Sequence, residues 1–289
     1  MKIPNRIEPL VEEGLVDSVI CQLMSGKEAM VYVVRCGDDL RCAKVYKETN
    51  KRNFRQTVSY TEGGQIKNNR RARAIHRRSY FGRKAQEKAW QSTEVDTMSY
   101  LATVGVRTPK SYNFFEGVLL MELITDNKGD VAPRLNDLML TAEQARTYHH
   151  FIIGQVVRML CKGIVHCDLS EYNVLIGYQG PVIIDFPQAI FAASNINAQR
   201  MLKRDVDNVT AYLSRFAPEL ADTDYGSEIW SLYQRGKLHT DTNLTGYPLE
   251  KCRPVDVDGV LSVINAVLKK ELAWQRYKQE RWTSRHLQY

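Results

Sequence analysis

The chain has 289 residues, an apolar fraction of 44% and a net charge of +7, which suits one large domain or two small lobes with a sizeable core. No apolar run approaches the length that spans a bilayer, and Met1-Lys2-Ile3-Pro4-Asn5-Arg6 lacks the apolar stretch of a secretory leader. The six Cys (Cys21, Cys36, Cys42, Cys161, Cys167, Cys252) contain no C-x-x-C pair, and most sit among apolar neighbours, so buried thiols in a reducing, cytoplasmic setting with no membrane contact are expected.

Three short β-type runs come first: Val19 to Leu23, Val31 to Cys36 and Cys42 to Tyr46. Ser25-Gly26-Lys27-Glu28-Ala29 joins the first two, and Gly37-Asp38-Asp39 is a turn between the next two. A sheet opening with a glycine-bearing hairpin can cover nucleotide phosphates, although one glycine alone reads equally as a simple turn. Lys44 is flanked by Ala43 and Val45, at the distance from such a loop where a phosphate-gripping lysine is kept. Such a lysine needs a carboxylate partner from a helix.

Basicity belongs to one segment. From Lys51 to Lys88 there are twelve Lys and Arg against Glu62 and Glu87, a balance of +10 that leaves −3 for the rest of the chain. With Gly63-Gly64 and few apolar residues, about 51–82 reads as a flexible basic loop. About Arg83 to Val104 reads as a helix with Trp90, Val95, Met98 and Leu101 on one face. Glu87 and Glu94 are the candidate partners of Lys44, and Glu94 is preferred because it lies near the buried edge.

Asn113 to Phe115 and Val118 to Glu122 form a hairpin about Glu116-Gly117. If the chain carries a kinase-like site, Met121 gates the back pocket, backbone groups of Glu122 and Ile124 meet adenine, and Asp126 to Asp130 is a linker. Thr141 and Gln144 then open a helix through Ile152, Ile153, Val156, Val157 and Leu160 that stops at Gly163.

The stretch His166-Cys167-Asp168-Leu169-Ser170-Glu171-Tyr172-Asn173 follows, and Val182-Ile183-Ile184 leads into Asp185. Asp168 and Asn173 stand five positions apart on a loop, and Asp185 follows the next strand, so the three can converge. Phosphoryl transfer needs a carboxylate beside the incoming hydroxyl, the part offered by Asp168, and hard oxygen ligands for Mg²⁺, offered by Asn173 and Asp185. His166 reads as a core histidine anchoring the loop. A helix from about Ala198 to Phe216 contains Asp205, which could accept loop N–H groups. Ala217-Pro218-Glu219 spells a motif that closes the activation segment of ordinary kinases. Only about a dozen residues separate Asp185 from that helix, too few for such a segment. Val255 to about Arg285 is expected to be helical.

In order, Ser25 to Ala29, Ala43-Lys44-Val45-Tyr46, Asn53-Phe54-Arg55, His166 to Asn173, Ile184-Asp185 and Arg204-Asp205-Val206-Asp207-Asn208 resemble the RIO family of atypical serine/threonine protein kinases. The first subfamily is the closer match, since the stretch before Leu15 is too short for the winged helix of the second. The resemblance, from about Leu15 to Phe216, implies an α+β, bilobal protein-kinase-like fold. Residues 1–122 would form a β-rich N-lobe with one main helix, and 123–289 a helical C-lobe without a long activation segment. It implies ATP with Mg²⁺ or Mn²⁺, with Ser25, Gly26, Lys27 and Glu28 over the phosphates and Lys44 paired with Glu94. Asp168 would be catalytic, with Asn173 and Asp185 on metal. It implies Ser/Thr phosphorylation, including autophosphorylation. The alternative is an ATPase switch that passes through phospho-Asp185 and binds RNA or a ribosomal particle through 51–88, small-subunit maturation being the family's role. A small-molecule phosphotransferase is disfavoured by Ser170-Glu171-Tyr172. Two departures stand out. Cys167 replaces the usual Gly, and its Cβ is expected to alter the loop backbone. Phe186-Pro187-Gln188 replaces Val-Ser-Gln, and Pro187 removes a backbone donor near the metal site.

Overall fold

The computed structural model describes residues 3–47 and 94–247. The basic segment, Glu87 and the helix expected over Val255 to Arg285 lie outside them. The described residues belong to one compact unit. In its described part a small lobe, made of a five-stranded sheet and two helices, stands before a helical lobe, which is the bilobal α+β kinase-like architecture.

The sheet has β1 (Ser18–Ser25), β2 (Ala29–Cys36), β3 (Asp39–Tyr46), β4 (Ser111–Phe115) and β5 (Val118–Glu122) in the order β1-β2-β3-β5-β4, with every pair antiparallel. The first three strands run longer than the apolar runs alone suggest. The β2–β3 ladder continues through polar residues to Cys36 opposite Asp39, closing on Gly37-Asp38. Gly37 takes φ +62 there, a conformation that needs no Cβ, and its N–H donates to Asp17 Oδ2 at 2.6 Å.

Side chains alternate across a strand, so β3 faces two ways. Ala43 and Val45 point to a core with Ile7, Leu10 and Val16. That core is roofed by α1 (Glu8–Glu12), a five-residue helix that the sequence reading passed over. Lys44 and Tyr46 point to the opposite face. There Tyr46 joins Met98 and Leu101, which come from α2, helical over 94–103 in the described residues.

The helical lobe is built on α3 (Ala142–Cys161), α4 (Ala198–Leu213) and α5 (Tyr225–Gln234). The N-terminus of α3 is a capping box: Thr141 Oγ1 accepts from Gln144 N at 3.2 Å, and Gln144 Oε1 accepts from Thr141 N at 2.9 Å. Its buried Ala145, His149, Ile152, Ile153, Val156 and Leu160 recur at three and four residues. Gly163 ends it at φ +73. The helix α5, not foreseen from the sequence, is capped by Asp224, which accepts from Ser227 N at 3.1 Å. Its Gly226 lets it lie on α4, since a Cβ there would stand 3.1 Å from Lys203 Cα. Ala217-Pro218-Glu219 leads into a 3-10 turn, Pro218–Asp222, and Glu219 pairs with Arg146 of α3 at 2.7 Å.

Two short hairpin-like pairs position the site. Strands β6 (Ile164–Val165) and β9 (Ile190–Phe191) pair with one another, as do β7 (Val174–Gly177) and β8 (Gly180–Ile183). Of the five described cysteines only Cys42 and Cys167 are buried, while Cys21 is exposed, so the expectation that most are buried is corrected. Apolar neighbours in sequence do not bury Cys21, because β1 is the sheet's edge and most of its residues are exposed. No helix among the described residues is long and apolar enough to cross a membrane.

His149 is a buried titratable group with a defined partner, Thr210 Oγ1, 2.8 Å from its Nε2. Burial first, and then the charge of His150, lowers its pKa from 6.5 to about 4. Its contribution to stability is complete above about pH 6.5, where both states hold a neutral ring. It is lost as pH falls towards 4, because the unfolded chain takes up the proton first. Between about pH 7 and about pH 5 the unfolding free energy is expected to drop, and His149→Gln should reduce that drop by ~1–2 kcal/mol. Urea unfolding at the two pH values measures this, and an unchanged drop would count against a neutral His149.

Candidate active site

Lys44 sits at the centre of the cleft face of β3, 9% exposed. Its Nζ lies 2.7 Å from Glu94 Oε1 and 2.6 Å from Asp185 Oδ1. Burial alone would lower the lysine's pKa, but the two carboxylates overcome it and hold the ammonium well above its ordinary value. Glu94 is 1% exposed, and its other oxygen, Oε2, accepts from the Tyr46 hydroxyl.

Asp185 arrives from the other lobe. The ladder that pairs Val174 with Ile183 continues as Ile184 N donates to Asn173 O at 3.0 Å, which sets Asn173 and Asp185 side by side at the open end of the hairpin. Asp185 takes φ +72, a left-handed conformation that Asp adopts more readily than most residues. Burial pushes its carboxyl up, but Lys44 outweighs this and holds it below the usual carboxylate range.

Asn173 turns its amide nitrogen to Asp168, with Nδ2 2.8 Å from the Asp168 carbonyl oxygen and 3.3 Å from Oδ2. The Asp168 carboxyl is shifted the other way from Asp185. Partial burial raises it first and the Asp185 charge raises it further, against the opposing pull of Arg204 and Asn173.

The loop that carries Asp168 is held from below by α4. Asp205, 1% exposed, accepts from Cys167 N at 2.7 Å and Leu169 N at 3.2 Å. The carbonyls of the same two residues accept from Arg204 and from Asn208 Nδ2, the latter at 3.2 Å. Residues on either side of Asp168 are thus fixed while Asp168 itself is left to project. Burial raises the Asp205 carboxyl to about 7, although the two amides and Arg204 favour its charged form. His166 braces the loop from behind. Its Nε2 donates to Ile184 O at 3.1 Å and its Nδ1 accepts from Asp168 N at 3.3 Å, an arrangement of the neutral ring. Burial lowers its pKa to about 4, and its ring packs 4.8 Å from that of Phe186.

Cys167 takes φ +68. This left-handed conformation stands with a side chain present, although a Cβ disfavours it. The buried Sγ lies 3.6 Å from Val165 O and 3.5 Å from Met201 Sδ. Pro187 costs no hydrogen bond that this turn uses, since the turn closes through Ala189 N to Phe186 O at 3.0 Å.

The loop after β1 is narrow. Gly26 N donates to Ala29 O at 2.9 Å, and Lys47, which sequence reasoning missed, holds it with Nζ 2.6 Å from Gly26 O and 3.2 Å from Ser25 Oγ. Lys27 is exposed. Glu28 is exposed as well, and its carboxyl is raised by partial burial first and by the Asp185 charge next. At the end of β5, Met121 is half-buried and pairs with Cys42 and Ser111. The Glu122 N–H donates to Lys110 O at 2.8 Å, and its side chain takes both Arg107 nitrogens at 3.0 and 3.1 Å. The buried Ile124 accepts Ala132 N at its carbonyl, 2.9 Å. Arg107, Tyr46, Arg204 and Asn208 are site-supporting residues given no role in the sequence reading. Tyr46 was visible as Lys44 plus two on a strand, and Arg204 and Asn208 as flanks of Asp205.

Asp205→Ala should cost about 2–4 kcal/mol, because two buried amides lose their acceptor. Chemical denaturation measures it, and a loss under about 0.5 kcal/mol would mean that α4 does not hold the loop.

The RIO domain family model matches residues 30–225. The chain is 32% identical over 210 residues to the RIO-type serine/threonine-protein kinase Rio1 of Haloferax volcanii, covering 72% of this chain and 68% of that protein. It is 30% identical to Rio1 of Methanocaldococcus jannaschii (66% of this chain, 61% of that protein) and 25% identical to human serine/threonine-protein kinase RIO1 (96% and 44%). The chain therefore spans less than two thirds of several of its relatives. With its family model covering more than half of it, this chain belongs to the RIO family of protein kinases.

Proposed function

We propose that the chain transfers the γ-phosphoryl group of ATP to Ser or Thr hydroxyls of protein, its own included. The observation that carries this reading is the meeting of Lys44, Asp168, Asn173 and Asp185 in one cleft with the pKa values of the two aspartates displaced in opposite directions. A raised Asp168 suits a group that takes the hydroxyl proton, and an ionised Asp185 suits a cation ligand.

The donor set fits Mg²⁺ or Mn²⁺. Asp185 supplies carboxylate oxygen and Asn173, whose nitrogen faces Asp168, supplies amide oxygen. Among the described residues no three His, Cys, Asp or Glu side chains form a ready-made cage, which agrees with a metal that takes few protein ligands and completes its shell with phosphate and water. Such a cation would neutralise charge on the transferring phosphate. Lys44, kept cationic by its carboxylates, would hold the phosphates. Ser25, Gly26, Lys27 and Glu28 would lie over them, and Met121 with the backbone of Glu122 and Ile124 would border adenine. In this reading residues 1–122 act as the nucleotide-covering lobe and 123–289 as the catalytic lobe. The ATPase alternative has one observation in its favour, the partly exposed, ionised carboxylate of Asp185, which would serve as the phosphate acceptor. RNA or a ribosomal particle on 51–88 would be its partner, held by salt-dependent phosphate contacts.

Asp168→Asn should lower autophosphorylation from labelled ATP by about 10²-fold or more while nucleotide affinity stays within about threefold. Equal labelling of the variant would overturn the assignment. Chelation of divalent metal should abolish transfer and re-addition of Mg²⁺ should restore it. Mass spectrometry after incubation with ATP separates the two readings: phosphoserine or phosphothreonine supports the kinase, and phosphate confined to Asp185 supports the ATPase.

A further inference from the structure

Strand alternation puts Tyr46 on the same face of β3 as Lys44, two residues away, and both reach Glu94. The contacts are divided between the two carboxylate oxygens, Oε1 to Lys44 and Oε2 to the Tyr46 hydroxyl. Tyr46 is 1% exposed, and its ring meets Phe114 edge-on at 6.2 Å between centroids. Lys44 Nζ stands 5.4 Å from the centre of the same ring, within range of a cation–π contact.

The two carboxylates around Lys44 differ. The Glu94 side chain is 1% exposed and that of Asp185 37%. The Glu94 contact is dry and shared with a phenol that belongs to the same strand as the lysine. The Asp185 contact is wet and comes from the other lobe. A glutamate facing Lys44 alone could rotate about its side-chain torsions and still satisfy one hydrogen bond. With Oε2 fixed by Tyr46, Oε1 has one direction left, which is that of Lys44. The phenol also joins β3 to α2, so one residue sets the distance between the lysine's strand and the glutamate's helix.

We propose that Tyr46 is a positioning residue that acts through Glu94: it fixes that carboxylate so that Lys44 stays anchored in the cleft when Asp185 turns to another ligand. The part played by Asp185 here rests on the phosphoryl-transfer reading; the coupling of Tyr46, Glu94 and Lys44 does not.

The test uses the full chain without nucleotide. Tyr46→Phe keeps the ring and its contact with Phe114 and removes only the hydroxyl. Lys44 accessibility is read as its rate of acetylation by acetic anhydride, quantified on the Lys44 peptide, in the wild type, Tyr46→Phe, Glu94→Gln and the double variant. Tyr46→Phe is expected to raise the Lys44 rate about fivefold in the wild-type background and less than about twofold in the Glu94→Gln background, the non-additivity of two groups acting as one. An unchanged rate, or an equal rise in both backgrounds, overturns the proposal, because a merely structural tyrosine would act independently of Glu94. A parallel titration with trinitrophenyl-ATP separates the two readings. If the wild type fails to bind it while the acetylation pattern holds, the phosphoryl-transfer reading falls and the coupling stands.

Discussion

A lysine ammonium withdrawn from water between two carboxylates is the constraint around which this domain is arranged. One carboxylate alone would balance the charge but meet one of the ammonium's three donors, and none would make the buried lysine prohibitive. The contacts of Lys44 therefore draw on β3, α2 and the β7–β8 hairpin together. The sheet supplies the strand and α2 one partner, while the second partner comes from the far lobe. Much of the packing serves that meeting: Met98 and Leu101 seat α2 on the sheet, and Ile183 seats the hairpin.

The loop that carries Asp168 shows a second economy. Four backbone groups of Cys167 and Leu169 are taken by three consecutive-turn residues of α4, Arg204, Asp205 and Asn208. The residue between them, Asp168, is held largely through its neighbours, its own side chain meeting Asn173 Nδ2 at 3.3 Å. His166, neutral at physiological pH, links this loop to Ile184 and so to Asp185. Two aspartates that would otherwise repel each other as equals are given different surroundings, with a lysine beside one and partial burial around the other.

The residues gathered in the cleft were legible in the sequence. Asp168 and Asn173 stand at a spacing that a loop can fold back on, and Lys44 is a charged residue in an apolar strand. The helical period of α3, with Thr141 and Gln144 at its start, was equally plain. Three kinds of feature were not. The short α1 gives too few turns to show a period, and only the core it roofs, through Ile7 and Leu10, explains it. Helix α5 is stabilised by tertiary contacts, Lys203 on Asp224 and the close approach at Gly226, which no local pattern encodes. Cys167 was read from conformational preference alone, which predicts a changed backbone. In the fold, the hydrogen bonds to Asp205 and Arg204 outweigh a left-handed penalty of about 1–2 kcal/mol.

The left-handed backbone of Asp185 has an evolutionary consequence. At φ +72 the residue that the main chain favours most is glycine, and an aspartate codon is one base from a glycine codon. Replacement there would relax the backbone and remove a partly exposed charge, while Lys44 would keep its dry partner Glu94. Folding would offer little resistance to the loss. A glycine at position 185 would therefore leave a chain that folds and keeps the Lys44–Glu94 pair, and stability alone gives little reason for an aspartate there.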